Sequence, residues 1–223
     1  MSDDSELGEL AHRVAHALRS PLGVVAGVVA QMRREVTAPS LDGGQLVEFA
    51  ERGLAQLGRI ADRLALLGAI EQGLAPGKLP ASLRVAVVGA IDDIARTRRR
   101  KAIEVVFEAA GEDASIVGDA ALLRALVAEL VDNGVRFARH FVRIDLDAVH
   151  GVVSVRNDGP AVDPNALQGL CGTRARHGDR SGLGLGLWLA ARIAEVHGGS
   201  IEHVESPEGP LFRLSLRASP PRD

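Results

Sequence analysis

The sequence predicts a chain of two parts, a helical hairpin followed by an α+β domain. In the first third of the 223 residues, apolar side chains recur at steps of three and four, the period of amphipathic helices. A stretch rich in glycine and proline then lies between residues 73 and 80. Beyond it, segments with strand-like alternation are mixed with helical segments, which indicates a sheet with helices on one face.

The composition is that of an ordinary globular protein, with 46% hydrophobic and 25% charged residues. A net charge of -3 gives no general attraction to nucleic acid. The longest apolar run, residues 21–32, is too short to span a bilayer, and the acidic first residues are unlike a signal peptide. The single cysteine, Cys171, excludes an internal disulfide. We therefore expect a cytoplasmic protein with no nucleic-acid partner and no membrane insertion.

Two apolar stripes predict the hairpin. The first runs from Leu7 to Val36 and the second from Leu46 to Leu74, and residues 37–44 break the pattern with proline and glycine. Two long helices joined by a short loop form an antiparallel hairpin. A lone hairpin buries only one stripe of each helix, so we expect two copies to pair as a four-helix bundle. The predicted hairpin domain is 1–75, and the chain is predicted to be a homodimer.

The predicted linker is 76–82, and the second domain is predicted over 83–218 with a short tail at 219–223. Leu83 to Val88 is predicted to open as a strand ahead of a helix that ends near Lys101. Later strands are predicted at Ile103–Ala109, Phe141–Ala148, Val152–Asn157, Ile201–Glu205 and Leu211–Leu216. Two more helices are predicted at Ala120–Ala138 and Leu183–His197.

One predicted helix carries polar side chains at a spacing that suits a metal ion and phosphates. Glu129 and Asn133 are four residues apart and therefore project from one helix face. A carboxylate and a carboxamide oxygen suit Mg²⁺, which otherwise keeps water and phosphate oxygens. Arg136 lies one turn further on, within reach of a phosphate. A polar surface helix explains the same residues equally well when they are taken alone.

Two segments that contain glycine lie next to predicted strands and helices, and the second of them is a candidate phosphate-binding loop. Residues 157–161, Asn-Asp-Gly-Pro-Ala, follow a predicted strand and are also compatible with a plain turn. Gly182, Gly184 and Gly186 alternate with leucines before a helix, where backbone N–H groups approach phosphate closely and the helix N-terminus is positive. Residues 172–180 are polar and basic, as a lid over phosphates would be.

These motifs together resemble those of sensor histidine kinases over most of the chain. Residues 129–138 resemble the asparagine box of the histidine-kinase and Hsp90-type ATP-binding fold, and 155–162 resemble its first glycine box. Residues 180–188 resemble the family's glycine-rich loop. Residues 16–22, His-Ala-Leu-Arg-Ser-Pro-Leu, resemble the phospho-acceptor box, whose usual form is His, an acid, Leu, Arg, Ser or Thr, Pro, Leu. Ala17 replaces the acid.

The resemblance implies a dimeric hairpin joined to an α/β-sandwich domain that binds ATP with Mg²⁺. It makes His16 the nucleophile that takes the terminal phosphoryl group and passes it to an aspartate of a response-regulator receiver domain. Arg19 and Ser20 would flank that phosphoryl group. The implied metal ligands are Glu129 and Asn133. The implied nucleotide contacts are Asn133, Arg136, Asn157, Gly159, Gly182, Gly184 and Gly186.

Three departures from the family pattern leave alternatives open. Asn157 stands where the family has its adenine-reading aspartate, which implies weaker ATP binding, since a neutral acceptor is weaker than a charged one. Ala161 replaces the second glycine of that box. At Ala17 the chain lacks an acid that serves as a base, a role generally worth ~10² to 10⁴ in rate. The first alternative is a histidine phosphotransferase or pseudokinase of the same fold with little or no autokinase activity.

A second alternative is an ATPase or serine kinase of the same nucleotide fold, which would leave the acceptor box unexplained.

Because no input domain is evident, the signal is expected to arrive through a separate sensor protein or through the regulator. His12 and His16 have a spacing that can hold a metal, but no third ligand is evident nearby.

Overall fold

The computed structural model describes residues 18, 21–32, 43–73, 77, 79–97, 103–113, 115–162, 185–204 and 206–217. These residues form two compact units, the first up to Gly68 together with Leu185, and the second from Ala69 onward. Within these ranges, no helix combines the length and the apolar character that a membrane crossing requires.

The first unit contains two helices, α1 over residues 21–32 and most of α2 over Gly43–Glu71. They come close together at Gly53 of α2. A Cβ atom at this position would lie 2.9 Å from Cγ2 of Val25 and 3.4 Å from the backbone oxygen of Pro21. The missing side chain therefore lets the two backbones approach. Both predicted helices are confirmed over these ranges, while residues 7–17, 19, 20, 33–36 and 74 of the predicted stripes lie outside the described residues.

The second unit is built on a five-stranded sheet. Its strands are β2 Glu104–Ala110, β4 Phe141–Asp147, β5 Val152–Asn157, β6 Ser200–Val204 and β7 Leu211–Ser215. They lie in the order β2-β4-β5-β7-β6, with β2 and β4 parallel and all other neighbours antiparallel. A separate antiparallel ladder pairs β1 Pro80–Ser82 with β3 Ser115–Val117.

The described residues of this part of the chain form the helices α3 Leu83–Thr97, α4 Ala120–Phe137 and α5 Leu185–Val196. The central strands β4 and β5 alternate between buried and half-exposed side chains, so one face of the sheet is more deeply buried than the other. Helix α4 packs on that face through Gly134, where a Cβ atom would lie 3.2 Å from side-chain atoms of Val142 and Val155. The mixed α/β architecture of the second part is thereby confirmed.

The opposite face of the sheet is polar and carries ion pairs. Arg143 on β4 donates to Glu108 at 2.7 Å and to Asp145 at 3.0 Å. Arg213 on β7 donates to Glu202 at 3.2 Å. Such a charged outer face does not need a covering layer.

One strand prediction is wrong. Leu83 to Val88 is helical from its first residue, and the short strand β1 precedes it. Leu83, Val87 and Ala90 are all fully buried, and their spacing of four and three residues is that of a helix. The valines of this segment led to the prediction of a strand. Ser82 ends β1 and caps α3, because its hydroxyl oxygen accepts the N–H of Val85 at 3.0 Å.

The remaining elements of the second part are confirmed, with ends that differ by one or two residues where they are described. Two short strands were missed, β1 and β3, each of three residues. Three residues do not show a period, so only the pairing of Ala81 with Ile116 in the folded chain reveals this ladder.

Candidate nucleotide-binding site

Two sets of hydrogen bonds at Asp119 hold the start of helix α4. The side chain of Asp119 accepts the N–H groups of Ala121 at 2.8 Å and Leu122 at 3.0 Å, which satisfies two free donors of the first turn. The backbone N–H of Asp119 donates to Nε2 of His197 at 3.2 Å, and Nδ1 of His197 lies 2.7 Å from the carbonyl oxygen of Ile193. His197 therefore ties the start of α4 to the end of α5.

The two hydrogen-bond partners of His197 determine which nitrogen of its imidazole carries the proton. An N–H group faces Nε2 and a carbonyl oxygen faces Nδ1, so the proton lies on Nδ1 and Nε2 accepts. The ring is buried, and Gly118 makes room for it: a Cβ atom at Gly118 would lie 2.6 Å from Nε2. A glycine before the cap is therefore required by the ring of His197.

The middle of α4 carries the predicted metal and phosphate residues. Glu129 and Asn133 lie on one face of the helix and are both half-buried. Because Gly134 contacts the sheet, the backbone of the neighbouring Asn133 is held close to the sheet. The guanidinium of Arg136 lies 5.0 Å from the ring centre of Phe137.

A carboxylate and a carboxamide on one helix face fit a hard cation such as Mg²⁺. Within the described ranges, no three His, Cys, Asp or Glu side chains are grouped so as to hold a metal ion by themselves. The two residues Glu129 and Asn133 therefore suit an ion that takes its other ligands from water and phosphate, which is the usual habit of Mg²⁺.

The end of β5 forms a tight turn around Asn157. This residue is 2% exposed, and its backbone N–H donates to the carbonyl of Pro210 at 3.1 Å. Its side-chain Oδ1 accepts the N–H of Gly159 at 2.8 Å. A Cβ atom at Gly159 would lie 2.5 Å from that Oδ1 and 2.5 Å from the carbonyl oxygen of Phe137. The turn therefore needs glycine, and it lies against the last residue of α4.

Asp158 fastens this turn to the segment that follows α4. Its carboxylate accepts three consecutive backbone N–H groups, those of Arg139 at 2.8 Å, His140 at 2.9 Å and Phe141 at 3.2 Å. Nδ1 of His140 lies 2.9 Å from the same carboxylate. Partial burial raises the pKa of Asp158, but the hydrogen bonds from the backbone and from His140 outweigh it and hold that pKa well below its usual range.

The structure brings some of the predicted residues together and leaves others outside the described part. Residues 133–136 at the end of α4 and residues 157–159 after β5 lie on adjoining elements. Gly186 is half-buried in the first turn of α5. The predicted residues outside the described ranges are His16, Arg19, Ser20, Gly182 and Gly184.

Sequence reasoning missed His197 and Asp119 as anchors of α4. In the sequence, Asp119 stands directly before a segment whose apolar residues have helical spacing, which is the usual pattern of an N-cap. No local pattern connects it with His197, since the two residues are 78 positions apart.

Comparison with known proteins places this geometry in a family. Residues 118–220 match the family of histidine kinase-, DNA gyrase B-, and HSP90-like ATPases. The chain is 30% identical over 218 residues to the sensor protein KdpD of Mycobacterium tuberculosis, a match that covers 93% of this chain and 25% of KdpD. It is 30% identical over 213 residues to the sensor protein QseC of Escherichia coli, with 87% of this chain and 44% of QseC covered. The chain thus spans less than half the length of these relatives.

Solved structures show the same fold. The Acinetobacter baumannii histidine kinase AdeS aligns with a TM-score of 0.70 at 14% identity, and the alignment covers 92% of this chain and 98% of the solved AdeS chain. The histidine kinase ThkA, solved in complex with the response regulator TrrA, aligns with a TM-score of 0.73 at 20% identity, and the alignment covers 98% of this chain and 64% of the solved ThkA chain. The chain therefore carries the ATP-binding domain of the sensor histidine kinase family.

Proposed function

We propose that this chain is the kinase core of a two-component system, which binds ATP with Mg²⁺, phosphorylates itself on His16 and passes the phosphoryl group to a response regulator. The observation that carries the proposal is the packing of α4 against the end of β5. Gly134 of this helix contacts Val155 of β5, and Gly159 of the turn lies against the carbonyl oxygen of Phe137 at the end of the helix, which supports a shared site for the residues of the two elements.

In this proposal, the residues of the site bind the base, the phosphates and the metal ion. Asn157 and Gly159 contact the base, while Asn133 and Arg136 contact the phosphates. The backbone N–H groups of Gly182, Gly184 and Gly186 also bind phosphate, since glycine allows a close approach. Glu129 and Asn133 would hold Mg²⁺, which neutralises charge on the phosphate oxygens when bound.

The transfer step takes place between His16 of the acceptor box and the terminal phosphate of the nucleotide. A nitrogen of the neutral imidazole of His16 attacks the terminal phosphorus, an N–P bond forms, and the P–O bond to the leaving ADP breaks. Arg19 and Ser20 donate hydrogen bonds to the phosphoryl oxygens. The phosphoryl group then moves to an aspartate oxygen of the regulator, which frees His16. The solved complex of ThkA with TrrA supports a response regulator as the partner.

The domain boundaries and the dimer are part of the same proposal. The hairpin occupies residues 1–75, the linker 76–82 and the catalytic domain 83–218. Apolar side chains on both hairpin helices are 40–58% exposed in the single chain, and a four-helix bundle with a second copy would cover them. The most exposed of these side chains are Leu22, Val29, Val47, Phe49 and Leu54.

The proposed location is the cytoplasm, and the proposed input is a separate sensor protein or the regulator itself. The location is supported by a solved fold relative, the cytoplasmic segment of the histidine kinase QseC, with a TM-score of 0.51.

The decisive experiment incubates the chain with γ-labelled ATP and Mg²⁺. We expect acid-labile label on the wild type and none on His16→Gln, and we expect the label to move to a response regulator. His12→Gln is the matched control, because it removes the neighbouring histidine of the same predicted helix. Acid-stable label, or label that survives in His16→Gln, would instead support a serine kinase, and release of labelled inorganic phosphate without labelled protein would support an ATPase.

Ala17 favours one second candidate, a histidine phosphotransferase with little autokinase activity. In that case wild-type His16 takes a phosphoryl group from a phosphorylated regulator but not from ATP. If the missing base alone limits the rate, Ala17→Glu should raise autophosphorylation about 100-fold, the lower end of general-base catalysis. No gain in Ala17→Glu would show that the limit lies in another step.

A further inference from the structure

We infer that the nucleotide site accepts 6-oxopurine nucleotides as well as adenine nucleotides, because Asn157 offers the base an N–H donor. The inference rests on the proposed function, in which Asn157 contacts the base. It goes further because it names the base chemistry that this particular side chain selects.

The position of Asn157 is fixed by the backbone on both sides. Its Cα lies opposite Val142 of β4, and its N–H donates to the carbonyl of Pro210 at 3.1 Å. Gly209, with φ of 118°, lies so close to the carbonyl of Asn157 that a side chain at position 209 would collide with it. The carboxamide therefore leaves the sheet from a rigid point.

The orientation of the carboxamide follows from its neighbour. The N–H of Gly159 can only donate, so the atom 2.8 Å from it is Oδ1 and not Nδ2. A flip of the amide would place two donors face to face, which the buried turn cannot relieve with water because Asn157 is 2% exposed. The free end of the side chain is thus Nδ2, a donor.

This donor has no acceptor within the part of the chain that the structure describes. A donor without a partner gains a hydrogen bond when a ligand supplies an acceptor. In the proposed site, Nδ2 therefore suits a base that has an acceptor at the position facing it.

The purine bases differ at this edge. Adenine carries an amino donor at position 6, whereas hypoxanthine and guanine carry a carbonyl acceptor there. Nδ2 of Asn157 matches the carbonyl of a 6-oxopurine and meets adenine only through its N1 acceptor. A carboxylate at position 157 would present acceptors alone, which suit the adenine amino group and repel a 6-oxo group. Asn157 therefore removes the discrimination that an aspartate would supply.

The test measures binding of ADP and IDP to the full chain with Mg²⁺ by calorimetry. IDP is the matched probe because it differs from ADP at the 6 position and in the protonation of N1, and diphosphates avoid turnover. We expect the two Kd values of the wild type to agree within about threefold, and Asn157→Asp to favour ADP over IDP by about tenfold or more. Asn133→Ala is the control, since it should weaken both nucleotides by the same factor and leave their ratio unchanged.

Tenfold or stronger preference of the wild type for ADP would overturn the inference while leaving the proposed nucleotide site intact. An unchanged ratio in a folded Asn157→Asp variant would also overturn it. If that variant does not fold, the wild-type ratio decides alone. Binding of neither diphosphate by folded wild-type protein would overturn the proposed function, and this inference with it.

Discussion

The two ends of α4 are held by different kinds of chemistry. At the N-terminal end, the buried ring of His197 bridges the N–H of Asp119 and the carbonyl of Ile193 without using a charge. At the C-terminal end, the carboxylate of Asp158 collects three backbone N–H groups and a nitrogen of the exposed His140. Between these ends the helix carries the polar face with Glu129 and Asn133.

The difference teaches that the position of one helix depends on two separate physical conditions. The first end depends on packing, because removal of a buried ring leaves a cavity and an unpaired N–H group. The second end depends on ionisation, because a carboxylate that accepts several N–H groups is held in its charged form. Variants that remove each anchor in turn should separate these contributions.

Replacement of the buried ring should have the largest effect. We expect His197→Ala to lower the free energy of unfolding by about 2–4 kcal/mol, through a cavity and an orphaned N–H of Asp119. Trp188 is the only tryptophan of the chain and lies on α5, so its fluorescence during urea unfolding reports on this region. His150→Ala is the matched control, since the side chain of His150 is 74% exposed. Equal losses in the two variants would argue against the buried anchor.

Removal of the charge at the other end should have a smaller effect. Asp158→Asn keeps one acceptor oxygen but loses the carboxylate, and we expect the Tm at pH 7 to fall by several degrees. Asn157 and Gly159 flank this residue, so nucleotide affinity should fall as well. Asp147→Asn is the comparison variant, because Asp147 bonds mainly to the exposed His150. A Tm loss in Asp147→Asn as large as in Asp158→Asn would count against a special role of Asp158.

The pH dependence sharpens the contrast further. The folded-state pKa of Asp158 lies well below its ordinary value of 3.8. Its stabilising contribution is therefore complete above the unfolded-state pKa and is lost as the pH falls through the folded-state pKa. We expect the stability gap between wild type and Asp158→Asn to be full at pH 7 and to shrink below about pH 4. A gap that stays constant in urea titrations down to pH 3 would contradict this assignment.

The smallest effect is expected for His140→Ala. The side chain of His140 is 84% exposed, and an exposed ion pair contributes little to stability. The backbone N–H of residue 140 still donates to Asp158 in the variant. Urea unfolding should therefore give nearly the wild-type midpoint. A loss of stability as large as that of Asp158→Asn would instead show that Asp158 is held mainly by the imidazole and not by the backbone N–H groups.

The elements of the second part were largely predictable because their side chains have a clear period. Alternation over Val152–Asn157 predicted β5 with the bounds that the structure shows, and the apolar steps of α4 predicted that helix to within one residue. The segment from Leu83 was misread because valine favours strands, while burial of Leu83, Val87 and Ala90 in the folded protein favours a helix.

For the candidate site, the sequence predicted the placement of residues on helix faces and not their contacts. Spacing placed Glu129 and Asn133 on one helix face, as the structure has them. The bond between His197 and Asp119 joins distant parts of the chain, so no local pattern contains it. The orientation of the Asn157 carboxamide was equally hidden, because it depends on which backbone N–H the folded turn presents to Oδ1.

The central place of β5 in the sheet restricts how the chain length can vary around the site. Strand β5 is third of five and pairs with β4 on one edge and β7 on the other. Side chains alternate between the two faces, so one inserted residue within the strand would exchange the faces of all residues beyond it. The guanidinium of Arg156 would then enter the apolar side, and the amide of Asn157 would turn to solvent. Insertions and deletions among homologues should therefore fall in the loops on either side of this strand and not within it.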